Sequence, residues 1–387
     1  METRSHYIDN LRSALVLWVV WHHASIPYLS PEIFENALSD VRYHLFFGGM
    51  VRFTDVVLMP IFFLISGYFT ASTFKYEGGL MPYTKKKLIY LGLPFAYGIF
   101  FFTGANRYFY DTVAIGYTGN YTQYLIDVYI KGQMVADHLW FLSLLLVFSL
   151  MAGGILACLK PKQKLNTGAF PIKSLLFLFL STMGSLILMH SFVPDDHWVQ
   201  MGQKGIFMFQ TTRVGIYSCF FFFGLVCDVR GWRFHNLCRD VSLKKVGTAA
   251  LIIAGAIEMF SLFFYNHDRL AGSFSLRVIN GFLHTATLMA WTLVLLNLFY
   301  KYINFKTEIS EKFSQSSYAI YLIHMPVVTL FHVHMRTMDL PVFIKFAIVF
   351  SGAVFLSYFI GYYFLRHLIS PGKLIDKVLV NFGSRAA

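Results

Sequence analysis

Two histidines, His22 and His23, stand side by side in WVVWHHAS, inside the first long apolar segment of the chain. A neutral imidazole takes up or gives up a proton near neutral pH, so a ring in such a segment is a candidate for acid–base or nucleophilic chemistry. At about 100° per residue, Arg12 and His23 fall about 20° apart around a helix, while His22 falls on another side. Asp9, Arg12, Val16, Val19 and His23 therefore share one stripe, with His23 about 16 Å beyond Arg12 by helix rise. The spacing predicts that His23, with Arg12 and Asp9, carries the chemistry and that His22 is a bystander. A lone histidine is also explained by one interhelical hydrogen bond, so the other segments have to decide.

Several of them add polar groups at defined depths. SSYAIYLIHMP places Tyr318, Tyr321 and His324 at three-residue steps, which puts Tyr321 and His324 on one helical face. ADHLWFL sets His138 and Trp140 at the start of another apolar segment, and FFLISGYF sets Ser66 and Gly67 among bulky residues. The small pair also fits simple close packing of helices. Asp55 needs a partner or water at its depth, and Glu258 is a buried carboxylate that no motif explains, a candidate for proton handling. Lys85, Lys86 and Lys87 follow the second segment, where ammonium groups set topology and can also meet phosphates as point charges.

These groups need a scaffold, and the composition allows one class. Hydrophobic residues make up 56% of the 387 positions and charged residues only 13%, more apolar surface than a soluble domain buries. Ten stretches are long and apolar enough to cross a bilayer: about 11–30, 52–73, 88–103, 138–158, 174–190, 213–228, 246–265, 280–300, 316–335 and 341–365. The expected fold is an all-α membrane protein, a polytopic bundle of about ten helices. Of the 32 Lys and Arg, 22 fall in alternate segments beginning with the N-terminus and 10 in the others. That pattern places both termini in the cytoplasm and explains the net charge of +12 by topology, without nucleic acid.

The first segment lacks a small-x-small cleavage site and reads as retained. The four cysteines show no disulfide or metal-ligand spacing, and no metal site is expected. No repeat or soluble second domain is apparent, so residues 1–387 read as a single membrane domain. The segment 104–137 is rich in Tyr and reads as an outer loop, either an aromatic belt or a sugar-stacking surface.

In order, Arg12 with ten residues before His23, FFLISGYF at 62–69, KKKLIYLGLPF at 85–95, HLWFL at 138–142 and SYAIYLIH at 317–324 resemble the acyltransferase 3 family of integral-membrane acyltransferases. The likeness runs from about Tyr7 to Arg366 and extends to the branch with periplasmic glucan succinyltransferases. It implies a multi-pass protein of a bacterial cytoplasmic membrane. Such a protein moves an acyl group from cytoplasmic acyl-coenzyme A, a co-substrate such as succinyl- or acetyl-coenzyme A, to a hydroxyl of a glycan on the far side. His23 matches the family's essential histidine and Arg12 its partner. The resemblance breaks at Lys85–Lys87, where the family often has arginine, since lysine lacks the bidentate fork.

Within that reading, His23 is base or transient acyl carrier, and Tyr318, Ser66 or His324 donates to the thioester oxyanion. Tyr321, Asp55, His138 and Trp140 face substrate, and Lys85, Lys86 and Lys87 meet coenzyme A. A succinyl carboxylate would want one cation, with Arg213, Arg269 and Arg277 as candidates. The competing expectation is a proton-coupled transporter or flippase for a glycan or lipid-linked sugar, with Glu258 and the histidines as its relay. It lacks the paired interrupted helices that usually mark a transport site. A third is a scaffold whose polar groups only pack.

Overall fold

The computed structural model describes residues 6–34, 36–161, 170–193, 197–201, 205–264 and 272–365. Among them each of the ten expected segments is helical: α1 His6–Ser25, α2 Leu45–Glu77, α3 Leu80–Ala114, α4 Asp137–Leu159, α5 Ile172–Met189, α6 Thr211–Arg230, α7 Leu243–Phe264, α8 Phe274–Tyr302, α9 Glu308–Met335 and α10 Val342–Leu365. All except α1 and α7 are long and apolar enough by length and composition to span a bilayer, and the protein is an all-α polytopic membrane protein. Several bounds differ from the expectation: α1 ends at Ser25, α2, α3, α8 and α9 start earlier, and α3 continues to Ala114 into the segment read as loop, where residues 121–133 form a further helix, α over Tyr121–Tyr124 and π over Leu125–Gln133.

α1 has neither Gly nor Pro, and the chain leaves it through a 3₁₀ turn at Ile26–Tyr28 where Pro27 cannot extend the helix. It is buried along Leu11, Leu15, Val16, Val19, Val20 and Ala24 and packs on α2, α8, α9 and α10, near the middle of the bundle. α2 and α6 make the most extensive helix pair. Their backbones touch at two glycines: a Cβ on Gly67 would run into the Phe221 carbonyl, and one on Gly224 into that of Leu64. Close packing at small residues is thus the role of Gly67.

α2 breaks at Phe69 and restarts at Thr70. The buried Asp228 of α6 accepts from the Ser72 amide at 2.7 Å and from its hydroxyl at 2.6 Å, satisfying amides that the new helix start leaves open. α3 carries two π turns, Leu88–Gly92 and Ile99–Thr103, on either side of Pro94. The sequence reading did not foresee a hairpin, β1 Trp198–Met201 and β2 Phe207–Gln210, paired antiparallel with Trp198 opposite Gln210. The link from α1 to α2 is pinned by a buried ion pair of Asp40 with Lys345 at 2.6 Å, both side chains 2% exposed, and by Arg336 donating to the Ala37 carbonyl at 2.9 Å.

Candidate active site

Three helices bring imidazoles together at the end of the bundle that the charge pattern places outside. His23 of α1 faces His324 of α9 with ring centroids 5.2 Å apart, and His324 faces His138 of α4 at 5.1 Å. His22 stands edge-on to His23 at 5.1 Å. Tyr321 packs beside both His138 and His324, at 5.9 and 6.0 Å. Residues far apart in sequence thus form one continuous group.

Hydrogen bonds fix how the rings are turned. A carbonyl oxygen only accepts, so a ring nitrogen bonded to one must carry its hydrogen. His324 Nδ1 lies 2.7 Å from the Tyr321 carbonyl and donates to it, which makes Nε2 the lone-pair nitrogen. His138 Nε2 lies 3.0 Å from the Leu322 carbonyl, which makes Nδ1 the lone-pair nitrogen. His332, two turns beyond His324, packs its ring against Tyr28 with centroids 5.5 Å apart. Thr54 directs its hydroxyl hydrogen to the carbonyls of Met50 and Val51, both at 2.9 Å, so its oxygen accepts from His22 Nδ1 at 2.7 Å. His138 Nδ1, His324 Nε2 and His332 Nε2 are buried with no hydrogen-bond partner, as is His23 Nδ1. A buried polar atom without a partner is costly; His138 and His324 each spend their hydrogen on a backbone carbonyl and keep the other nitrogen unused.

The cluster adjoins a cavity of about 500 Å³, lined by His22, His23, His138 and His332 together with Asp55, Trp140 and the hairpin's Trp198, with His324 packed against His23 and His138. Asp55 answers its need for a partner with Arg213, 2.8 Å away and itself buried, which also donates to the Asp55 backbone carbonyl. Asp137, in the lining, has φ +48°, a left-handed conformation that only Gly, Asn and Asp adopt readily. Asn106 donates to its carboxylate and accepts from Thr329 at 2.6 Å, which ties α3, α4 and α9 together under His138. Arg107 also lines the cavity, with its guanidinium over the Tyr110 ring and no ion pair among the described residues.

The other candidates lie elsewhere. Asp9 and Arg12 pair with each other at 3.4 Å at the far end of α1, outside the cavity lining. Ser66 is half-buried, with its carbonyl taken by the Thr70 hydroxyl. The Tyr318 hydroxyl donates to the Tyr90 carbonyl at 2.9 Å and the Tyr321 hydroxyl to the His138 carbonyl at 2.6 Å. Each phenol has one hydrogen, so the expected oxyanion donation by Tyr318 meets a committed group, and His324 presents a lone pair where a donor was expected. Lys86 pairs with Glu77, Lys87 lies over the Tyr83 ring at 5.3 Å, and Lys85 is exposed. Glu258 is held by Arg52 at 2.7 Å, so it is not an isolated carboxylate. Arg269 lies outside the described residues. The Tyr-rich segment turns inward on itself, Tyr108 and Tyr117 packing on Tyr124, and of its tyrosines Tyr110 reaches the cavity.

The sequence reading passed over His332, Asn106, Asp137, Thr329 and Thr54, and set His22 aside. Two signals were available. His332 follows His324 by eight residues, close to two turns, and Asp137 directly precedes His138.

Fold and site define a class, a polytopic helical membrane protein whose imidazoles converge on a cavity at one end of the bundle. Residues 5–363 match the model of the acyltransferase 3 family, described as an acyltransferase domain, and the chain belongs to that family. Similar proteins include the Glucans biosynthesis protein C of Salmonella typhimurium strain LT2 and that of Salmonella typhi. Each is 22% identical over 341 residues, covering 85% of this chain and 83% of the relative. No solved structure matches the chain.

Proposed function

We propose that this acyltransferase moves an acyl group, succinyl or acetyl, from cytoplasmic acyl-coenzyme A to a hydroxyl of a periplasmic or cell-surface glycan, from within a bacterial cytoplasmic membrane. The observation that carries the reading is the cluster of histidines at a 500 Å³ cavity, in which His138 and His324 give their hydrogens to backbone carbonyls and His23, His138, His324 and His332 each keep a nitrogen without a partner. Such a site suits a ligand that brings hydrogens of its own, and a sugar hydroxyl is one. The names of the relatives, which speak of glucan biosynthesis, favour a glucan as acceptor.

In this reading a hydroxyl enters from the cavity and gives its proton to His23 as its oxygen attacks the thioester carbonyl. A C–O bond forms, the C–S bond breaks on collapse, and the thiolate takes the proton back as coenzyme A thiol. General-base assistance of this kind contributes roughly 10²–10⁴-fold. Trp140 and Trp198 offer apolar faces to a sugar ring. Arg12 and the exposed Lys85 suit the phosphates of the donor.

Mass spectrometry of surface and periplasmic glycans from cells with and without the protein tests this. An acyl increment on a glycan that disappears with the protein, and with His23→Ala alone, is expected. An unchanged glycan profile, with no coenzyme A released by purified protein, would sink the proposal.

A further inference from the structure

Pro326 stands inside α9 and has no amide hydrogen, so the carbonyl four residues before it, that of Leu322, loses its helical donor. The ring of His138 occupies the vacancy, with Nε2 3.0 Å from the Leu322 oxygen. One residue earlier on the same helix, Tyr321 donates to the His138 main-chain carbonyl at 2.6 Å. Residue 138 is therefore tied to α9 by its backbone and by its ring. The same device recurs where no imidazole is involved. Pro94 frees the Tyr90 carbonyl of α3, and the Tyr318 hydroxyl fills it at 2.9 Å. A proline in one helix here opens a carbonyl for a donor from another, as membrane helices allow when a neighbour satisfies the freed group.

The two cases differ in consequence. A phenol has one hydrogen and loses nothing by giving it to a carbonyl. Imidazole has two tautomers, and the bond chooses between them: donating through Nε2 leaves Nδ1 as the basic atom, and His138 Nδ1 is the one buried without a partner. We propose that Pro326 is a positioning residue for acyl transfer, one that reserves the Leu322 carbonyl for His138 and thereby holds that ring as the Nε2–H tautomer with a basic Nδ1 beside His324. The inference rests on the reading that this imidazole cluster is where the transfer occurs.

With alanine at 326 the helix regains an amide aimed at Leu322. His138 then competes for its acceptor, and part of the population turns to the Nδ1–H form, which has no basic atom at that place. The groups around the ring from other elements are His324 and Tyr321 of α9, His23 of α1 and Asn106 of α3, with Asp137 next to it in the chain. None of the carbonyl contacts of these groups involves Pro326, so substrate contacts elsewhere in the cavity should persist.

Nitrogen NMR of ¹⁵N-histidine-labelled protein in nanodiscs reads the tautomer, with the His138 signals assigned by their loss in His138→Gln. The wild type is expected to show Nε2–H at His138. Pro326→Ala should show mixed tautomers and a kcat about tenfold lower, with KM for the acyl donor within twofold. His138→Gln keeps an amide donor for Leu322 but no ring lone pair, and should accumulate normally with a similar loss of kcat. An Nδ1–H tautomer in the wild type overturns the proposal without any variant. So does wild-type kcat in Pro326→Ala once its tautomers are mixed, or wild-type kcat in His138→Gln. Full transfer by His23→Ala would instead overturn the reading of the cluster as the transfer site, a separate outcome.

Discussion

His23 of α1 and His324 of α9 face one another with ring centroids 5.2 Å apart and planes tilted by 38°. Neither His23 Nδ1 nor His324 Nε2 has a hydrogen-bond partner. Unpartnered imidazole nitrogens on two adjoining rings are candidate proton acceptors, and this is the place from which the chemistry of the protein is best probed.

His23→Ala should lower acyl transfer by roughly 10²–10⁴-fold, the usual worth of a positioned base, while the protein accumulates as before. The expectation for His22→Ala changes with the structure. Its ring lines the same cavity and is fixed by Thr54, so a loss of about three- to tenfold is expected, in keeping with one displaced hydrogen bond of roughly 1 kcal/mol. Initial rates of coenzyme A release by both variants, at matched protein, check this; equal rates for the two would contradict it.

The hydropathy of the chain made the helices legible, because each crossing must bury a length of apolar side chains. The ordered motifs pointed to His23, His138 and His324, which do share a cluster. What misled was treating α1 as an isolated cylinder. Angular phase separates His22 from His23, but the cavity wraps the end of α1, and Thr54 comes to His22 from α2. Asn106, Asp137 and Thr329 were hidden for a related reason: their relation is a contact among three helices, and no spacing along the chain encodes it. Arg12 was legible in both respects: phase put it in line with His23, and helix rise put it about 16 Å away, at the other end of α1, where it pairs with Asp9.

Gly67 and Gly224 should tolerate no side chain. A Cβ at either position meets a backbone carbonyl of the facing helix, and backbone cannot rotate out of the way. Each alanine variant is expected to cost about 1–3 kcal/mol or more by overpacking. Thermal melting in detergent should show both well below Gly184→Ala, whose added Cβ meets nothing within 4 Å. Three indistinguishable melting curves would refute the close α2–α6 contact.

The Asp40–Lys345 pair offers a second stability test. Both side chains are 2% exposed, so Lys345→Met strands a buried carboxylate, at a cost of roughly 3–5 kcal/mol. The double variant Asp40→Asn, Lys345→Met should recover much of the loss, since no charge is then left unpaired. Melting temperatures of the two, with no recovery in the double variant, would show the pair to be incidental.

Lys85 and Lys86 separate a phosphate contact from a structural one. Lys86 is occupied by Glu77 and lies 5.5 Å from the Tyr76 ring centroid, whereas Lys85 is exposed. If the segment meets coenzyme A, Lys85→Ala should raise KM for the donor about five- to tenfold, close to 1–1.4 kcal/mol, and leave kcat unchanged. Lys86→Ala should instead lower thermal stability. A KM that stays put in Lys85→Ala would place the donor phosphates elsewhere.

Arg107 bears on which acyl group is carried. Of the cations considered for a succinyl carboxylate, Arg213 is engaged by Asp55; Arg107, which was not among them, lines the cavity without an ion pair among the described residues. A hydrogen bond to a charged group is worth roughly 1.5–3 kcal/mol, so Arg107→Ala should raise KM for succinyl-coenzyme A by about 10- to 100-fold if the succinyl end reaches it. An acetyl donor has no carboxylate at that position and should lose less than threefold. Steady-state kinetics with the two donors separates the cases, and equal losses for both would assign Arg107 to the acceptor.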